Sequence, residues 1–241
     1  MDKKKDYLRG YSIFGSNGNL HQIEYAEKSV NNSEPSVGIQ FENGVILLSQ
    51  KNTNKSKLLI DDSIEKSHQI NEKIGMVFSG HITDGRILAD KLREHITEEK
   101  LQYGSITDIS EIVYNISEDI QDTIKSTMIR PYGVSLLIGG VDFDNTVQLY
   151  KIDPSGAPSA WKGISIGKNC NKIQKYIEDN YTDGMNKNEA LDLTIKSLIE
   201  STKNNIHAKS LDIVIITNDS YEVLSNSDVN TIIDNLGDND E

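Results

Sequence analysis

One stretch constrains the fold more than any other. Residues 134–141, Val-Ser-Leu-Leu-Ile-Gly-Gly-Val, are almost continuously apolar over the length of a single strand. A strand with one wet face alternates, whereas an unbroken apolar run suits a strand covered on both faces. The remaining segments have to supply those two covers.

They do so in a regular order. The segment 36–41 and the run Val45-Ile46-Leu47-Leu48 flank Asn43-Gly44, a strong hairpin signal. A second strand pair is expected over 65–70 and 74–78. The period then changes, and 82–103 is a charged helical stretch with Leu88, Leu92 and Ile96 on one stripe. A second helix keeps Ile109, Ile112, Val113, Ile116, Ile120 and Ile124 on one face, with Ser105 and Asp108 spaced as a capping box at its start.

After 134–141, Asp144-Asn145 turns into a strand at 147–152. Asp153-Pro154-Ser155-Gly156 turns again, and 159–166 is expected to close a three-strand meander. Helices follow at about 169–181 and 187–203, then a strand pair at 211–217 and 221–224, and a short helix at 228–236. Strands, two helices, strands, two helices, strands is not the alternation of a doubly wound parallel sheet. Two sheets packed face to face with a helix pair on each outer side would bury every apolar face. That is a four-layer α/β/β/α sandwich of the α+β class, although periodicity alone does not choose it over other α+β arrangements.

A further helix stands ahead of this core. In 18–30, Gly-Asn-Leu-His-Gln-Ile-Glu-Tyr-Ala-Glu-Lys-Ser-Val, the residues Leu20, Ile23, Ala26 and Val30 recur at helical spacing. Asn19 is placed to cap the helix, with Gln22 returning the bond. Trp161 and Tyr150 read as packing residues. No linker or repeat divides the chain, so it reads as a leading segment 1–18, one domain 19–236 with its first helix at 19–31, and an acidic tail 237–241.

Composition excludes several function classes. The formal net charge of −12 opposes a phosphate-backbone binder, which needs a basic face. No apolar run reaches membrane-spanning length, and the charged start Met1-Asp2-Lys3-Lys4-Lys5-Asp6 is unlike a secretory signal. The single cysteine, Cys170, allows no internal disulfide or cysteine-based zinc cluster and fits a reducing, cytoplasmic setting. The five histidines show no metal-ligand spacing, and no glycine run matches a phosphate loop. No metal or cofactor is expected.

The run Asn17-Gly18-Asn19-Leu20-His21-Gln22-Ile23-Glu24-Tyr25-Ala26 resembles the opening signature of proteasome α-subunits. Further motifs follow in family order: Ser-Ile-Glu-Lys at 63–66, the segment 79–90 from Ser-Gly-His, Arg-Pro-Tyr-Gly at 130–133, Asp-Pro-Ser-Gly-Ala at 153–157 and Ile-Gly-Lys at 166–168. The resemblance implies the N-terminal-nucleophile hydrolase fold, and a first helix lying across the end of the sandwich cleft, where a catalytic β-subunit holds its active site.

Enzymes of this type use the hydroxyl or thiol of residue one, with its own α-amine as base. Here the matching position is Glu34, in Glu34-Pro35-Ser36, and a glutamate cannot be that nucleophile. No Gly-Thr pair occurs in the chain, and Gln50 stands where a β-subunit has an aspartate. The expectation is therefore no catalytic residue. The resemblance implies a gating subunit of a 20S core particle, one member of a seven-membered outer ring. Its implied partners are other α-subunits, β-subunits, the C-terminal tails of activators or regulatory ATPases, and unfolded substrate in transit. The alternatives are a catalytic β-type hydrolase and a paralogous scaffold or assembly subunit.

The resemblance also assigns positions. Lys66 matches the lysine that pairs with an activator's terminal carboxylate, and His81 stands beside it where family members often have leucine. The gate cluster maps to Tyr7, Leu8, Arg9, Ser16 and Tyr25, with Leu8 and Ser16 replacing the usual aspartate and proline. Leu8 has no acceptor to offer, and Ser16 lacks proline's fixed φ.

Overall fold

The computed structural model describes residues 14–52, 64–104, 108–126, 129–202 and 207–237. After helix α1 (His21–Asn31) come β1 (Ser36–Phe41), β2 (Gly44–Gln50), β3 (Ser67–Gln69) and β4 (Ile74–Gly80). Helices α2 (Ile82–Tyr103) and α3 (Ile109–Lys125) follow, then β5 (Val134–Val141), β6 (Val147–Ile152), β7 (Pro158–Ala160) and β8 (Gly163–Ile166). Helices α4 (Cys170–Asn180) and α5 (Lys187–Thr202), strands β9 (Leu211–Thr217) and β10 (Tyr221–Val223), and α6 (Asn226–Gly237) complete the order.

The strands form two five-stranded sheets, β10-β9-β2-β1-β8 and β3-β4-β5-β6-β7. Every pairing in them is antiparallel. Three apolar clusters separate the layers. One joins β1, β2 and β9 to α4, α5 and α6 through residues such as Ile39, Ile46, Ile195 and Ile213. A second joins β4 and β5 to α2 and α3 through Phe78, Leu88, Ile112 and Leu136. The third lies between the sheets, around Leu47, Val77, Leu137 and Val214. This is the expected four-layer sandwich, and all eight residues of β5 are buried, as a strand covered on both faces must be.

Several local expectations give way. Residues 159–166 are not one strand. β7 ends the second sheet against β6, and the chain then crosses at Trp161 and Lys162 so that β8 pairs with β1 in the first sheet. Trp161 is 38% exposed at this crossing, with Nε1 donating to Ser159 Oγ at 2.7 Å, so it is no core residue. Tyr150 does pack, half-buried, against the α2/α3 cluster. The β1–β2 loop is Glu42-Asn43, closed by the Phe41–Gly44 pair. Gly44 is needed for space: a Cβ there would meet the Ile216 carbonyl at 2.1 Å, so β9 can lie alongside.

The capping boxes also fail. α1 begins after Leu20 with no side-chain cap, and Asn19 Nδ2 instead donates to Glu24 Oε1 at 2.6 Å. α3 begins after Asp108, likewise without a side-chain cap from its own end, while Ser105 lies outside the described residues. The free Ile109 N–H is met from another layer, by Asp142 Oδ1 at 2.9 Å.

Candidate functional site

Helix α1 lies against β4 and β5 at one end of the sandwich, as expected of a helix placed across the cleft end. Ala26 and Val30 are its buried residues, with Leu20 and Ile23 half-buried. Its carboxyl end is tied to the other sheet's side, since Lys168 N donates to Ser33 O at 2.9 Å. His21 Nδ1 lies 3.2 Å from Glu24 Oε2, and this contact, with the Asn19 bond, holds the Glu24 carboxyl below the usual carboxylate range.

Beneath α1 the chain enters β1 through Glu34 and Pro35, and a polar cluster closes around them. Lys66 Nζ donates to the Glu34 carbonyl at 2.9 Å and to the Gln50 carbonyl at 2.8 Å. The Ser79 hydroxyl donates to the same Glu34 carbonyl at 3.0 Å. Ser36 Oγ, 3.2 Å from it, donates to the Phe78 carbonyl at 2.9 Å. Gly167, at φ +90°, packs so close that a Cβ would meet Ser79 Oγ at 2.8 Å and Pro35 Cα at 2.9 Å. A side chain there would wedge the two sheets apart.

Lys66 is thus neither a solvated strand lysine nor an open cation. It is 5% exposed, just ahead of β3, and burial pushes its ammonium down to about 8, with the Glu34 and Asp212 carboxylates pulling the other way. Two of its three N–H donors are committed to main-chain carbonyls. Beside Glu34, Pro35 and Gln50 lies a cavity of about 320 Å³ rimmed by Lys168, Asn169, Lys172 and Ser201.

His81 sits at the same end, as the exposed residue before α2. Its N–H donates to the Gly133 carbonyl at 3.0 Å, and its ring covers Gly133. That arrangement is set by a pair not singled out from sequence. Asp84, 3% exposed, accepts Arg130 Nη1 and Nη2 at 2.7 Å each, and Gly133 N at 2.9 Å. Burial raises the Asp84 carboxyl, but the Arg130 and Gly133 donors outweigh it and leave it below its ordinary value. Arg130-Pro-Tyr-Gly133 and Asp84 both lie inside recognised motifs. Their partnership needed the fold, since 46 residues separate the two side chains.

The gate positions fare differently. Tyr7, Leu8 and Arg9 lie outside the described residues. Ser16 Oγ donates to Asn17 Oδ1 at 3.3 Å in an exposed turn, while the Tyr25 ring, 40% exposed, has the Lys28 ammonium 5.6 Å from its centre. Among the described residues no group of three or more His, Cys, Asp or Glu side chains could hold a metal, and no helix is long and apolar enough to cross a membrane.

Comparison with known proteins gives this geometry its context. The family model described as proteasome subunit matches residues 30–216. The chain is 33% identical to proteasome subunit alpha of Haloquadratum walsbyi, covering 96% of this chain and 92% of that one. It is 34% identical to proteasome subunit alpha 2 of Haloferax volcanii over 92% and 88% of the two chains. Against proteasome subunit alpha 2 of Haloarcula marismortui it is 32% identical over 95% and 93%. The leading helix, the paired sheets and the closed entry to β1 therefore belong to a member of the proteasome subunit family, of the α type.

Proposed function

We propose that this chain is a non-catalytic subunit of the outer, seven-membered ring of a 20S core particle in the cytoplasm. Residues 1–18 form part of the gate to an antechamber that admits unfolded protein. Peptide-bond hydrolysis is left to β-subunits on which the ring stacks. The observation that carries the reading is the state of the β1 entry. The position of a processed nucleophile is an internal glutamate followed by proline, and its carbonyl is engaged by both Lys66 and Ser79.

Docking is part of the same proposal, on the resemblance of Lys66 to the family's pocket lysine. The remaining Lys66 N–H is offered to the terminal carboxylate of an activator or ATPase tail, with His81 on the Gly133 shoulder as the neighbouring wall. At the gate, Leu8 and Ser16 weaken the open arrangement that aspartate and proline would support, so a homomeric ring stays mostly closed. Residues 19–236 act as one domain, and 237–241 are a tail with no assigned role.

The test is co-expression with β-subunits from the same genome, followed by sizing and a peptidase assay. The full-length particle should hydrolyse a short peptide slowly, and deletion of residues 2–9 should raise the rate. Lys66→Ala, checked for intact particles, should keep basal hydrolysis and lose stimulation by a tail peptide. Peptidase activity of this chain alone, or equal rates for full-length and truncated particles, would overturn the reading.

A further inference from the structure

The end of the sandwich away from α1 holds a second cavity, of about 600 Å³, between the β3–β4 turn, α2 and the end of β5. That volume is in the range of small-molecule sites. Its inner surface is apolar: Ile70, Ile74, Ile96 and Val141 line it and are all buried. One wall is polar and cationic. Arg93, Thr97 and Lys100 recur at i, i+4 and i+7 of α2, so they share one helical face over the opening.

Opposite them Lys73 holds its ammonium 5.4 Å from the centre of the Phe143 ring, which is 58% exposed at the mouth. Of the three cations around the opening, Arg93 is paired with Asp90 and Lys73 donates to Asn218 Oδ1 at 2.6 Å. The exposed Glu72 edges the turn, and Lys100 is the charge turned to the opening on the α2 wall. The one buried acid of the lining, Asp142, is already engaged by the Ile109 N–H at 2.9 Å and belongs to the α3 start. An anionic head therefore fits at the α2 wall, with an apolar body on the isoleucine floor.

We propose that this cavity binds a single-chain amphipathic anion, a medium-chain aliphatic or aryl-aliphatic carboxylate, with its head at Lys100, since the Thr97 hydroxyl already donates to the Arg93 carbonyl at 2.7 Å. This site is separate from the α1 end and does not rest on the gating reading. Arg93 is already committed: its Nε and Nη2 donate to the Gln69 carbonyl at 3.0 and 2.8 Å and its Nη1 to Asp90 Oδ1 at 2.8 Å, which holds the guanidinium in place at the rim. Lys100 is exposed and supplies the mobile charge.

Calorimetric titration of the full chain with sodium decanoate, decanol and decyltrimethylammonium tests it. Decanoate should bind saturably at one site and the cationic probe at least roughly tenfold more weakly, the difference of about one charge-assisted contact. Lys100→Glu should weaken decanoate by a similar factor, Thr97→Trp should fill the mouth and abolish binding, and Lys175→Glu on the exposed side of α4 should change nothing. Unsaturable binding of decanoate, equal binding of decanol, or decanoate binding that survives Thr97→Trp would each overturn the proposal.

Discussion

The layer between the two sheets changes character along its length. Its middle is packed with Val45, Leu47, Val77, Leu137, Leu149, Val214 and Ile216, all essentially inaccessible. Toward α1 the same layer becomes polar, with Ser36, Ser49, Lys51, Lys66 and Ser79 nearly as deeply buried. The strands run continuously through both regions, so the backbone does not impose the difference. The middle is held by close packing, and the α1 end by cross-ties whose worth depends on every member being satisfied. Ser36, Lys66 and Ser79 bind one another or main-chain carbonyls and Lys51 pairs with Asp212, while Ser49 Oγ finds no partner among the described residues.

The contrast can be broken most sharply in the middle. Leu137→Ala should cost about 3–5 kcal/mol, since the sheets on either side cannot collapse onto the void. Urea unfolding would measure it, and a loss under about 1 kcal/mol would mean the middle is more loosely filled than its burial indicates.

At the polar end, Asp212→Asn should cost about 2 kcal/mol, less than a fully dry pair would. It leaves the Lys51 ammonium, 2.8 Å from that carboxylate and 7% exposed, without its counter-charge. Asp212 is also one of the charges supporting Lys66, so the same change should drive the Lys66 ammonium further down.

Lys66→Met should cost about 1 kcal/mol near neutrality. The loss of two carbonyl partners is partly offset by removal of a desolvated charge. The pH dependence separates the two terms. Lys66 titrates at about 8 in the fold and near 10.5 when unfolded, so between those values the unfolded chain holds more protons. Wild type should therefore gain stability relative to Lys66→Met as pH rises from 8 toward 10.5. A constant gap between the two proteins across that window would show the ammonium is not desolvated.

The smallest effect is expected at Ser49→Ala, within about 0.5 kcal/mol, because Ser49 Oγ is buried without a hydrogen-bond partner among the described residues and its removal leaves none of them stranded. A loss above about 1 kcal/mol would reveal a satisfied hydroxyl.

The layers were legible in the sequence because layers are written in periodicity. The unbroken run of β5 calls for a cover on both faces and the isoleucine stripe of α3 for one, although periodicity alone does not say which elements supply them. What periodicity cannot carry is where a strand changes partners. β7 and β8 read as one segment because Trp161-Lys162 contains neither glycine nor proline, and only pairing with β1 divides it. The caps failed for a related reason: the acceptor for α3's first N–H comes from Asp142, 33 residues away. Motif resemblance brought Lys66 and His81 into view, but not the burial of Lys66. Its acceptors are main-chain carbonyls, which any residue could supply.

The two sheets also differ in how their strands come together in time. In the second sheet β3, β4, β5, β6 and β7 are neighbours in sequence order. In the first, the β1–β2 hairpin sits at the centre, flanked by β8 and β9. Pairs such as Gly44–Thr217 and Ser36–Ile166 close loops of well over a hundred residues. A hairpin made early in synthesis therefore waits with its β1 edge open until Ile166, and its β2 edge open until Thr217, has left the ribosome. Such distant closure is slow, and unpaired edges are sticky. The nascent chain spends that interval as a folding intermediate with half of one sheet exposed, the period in which a chaperone would matter most to it.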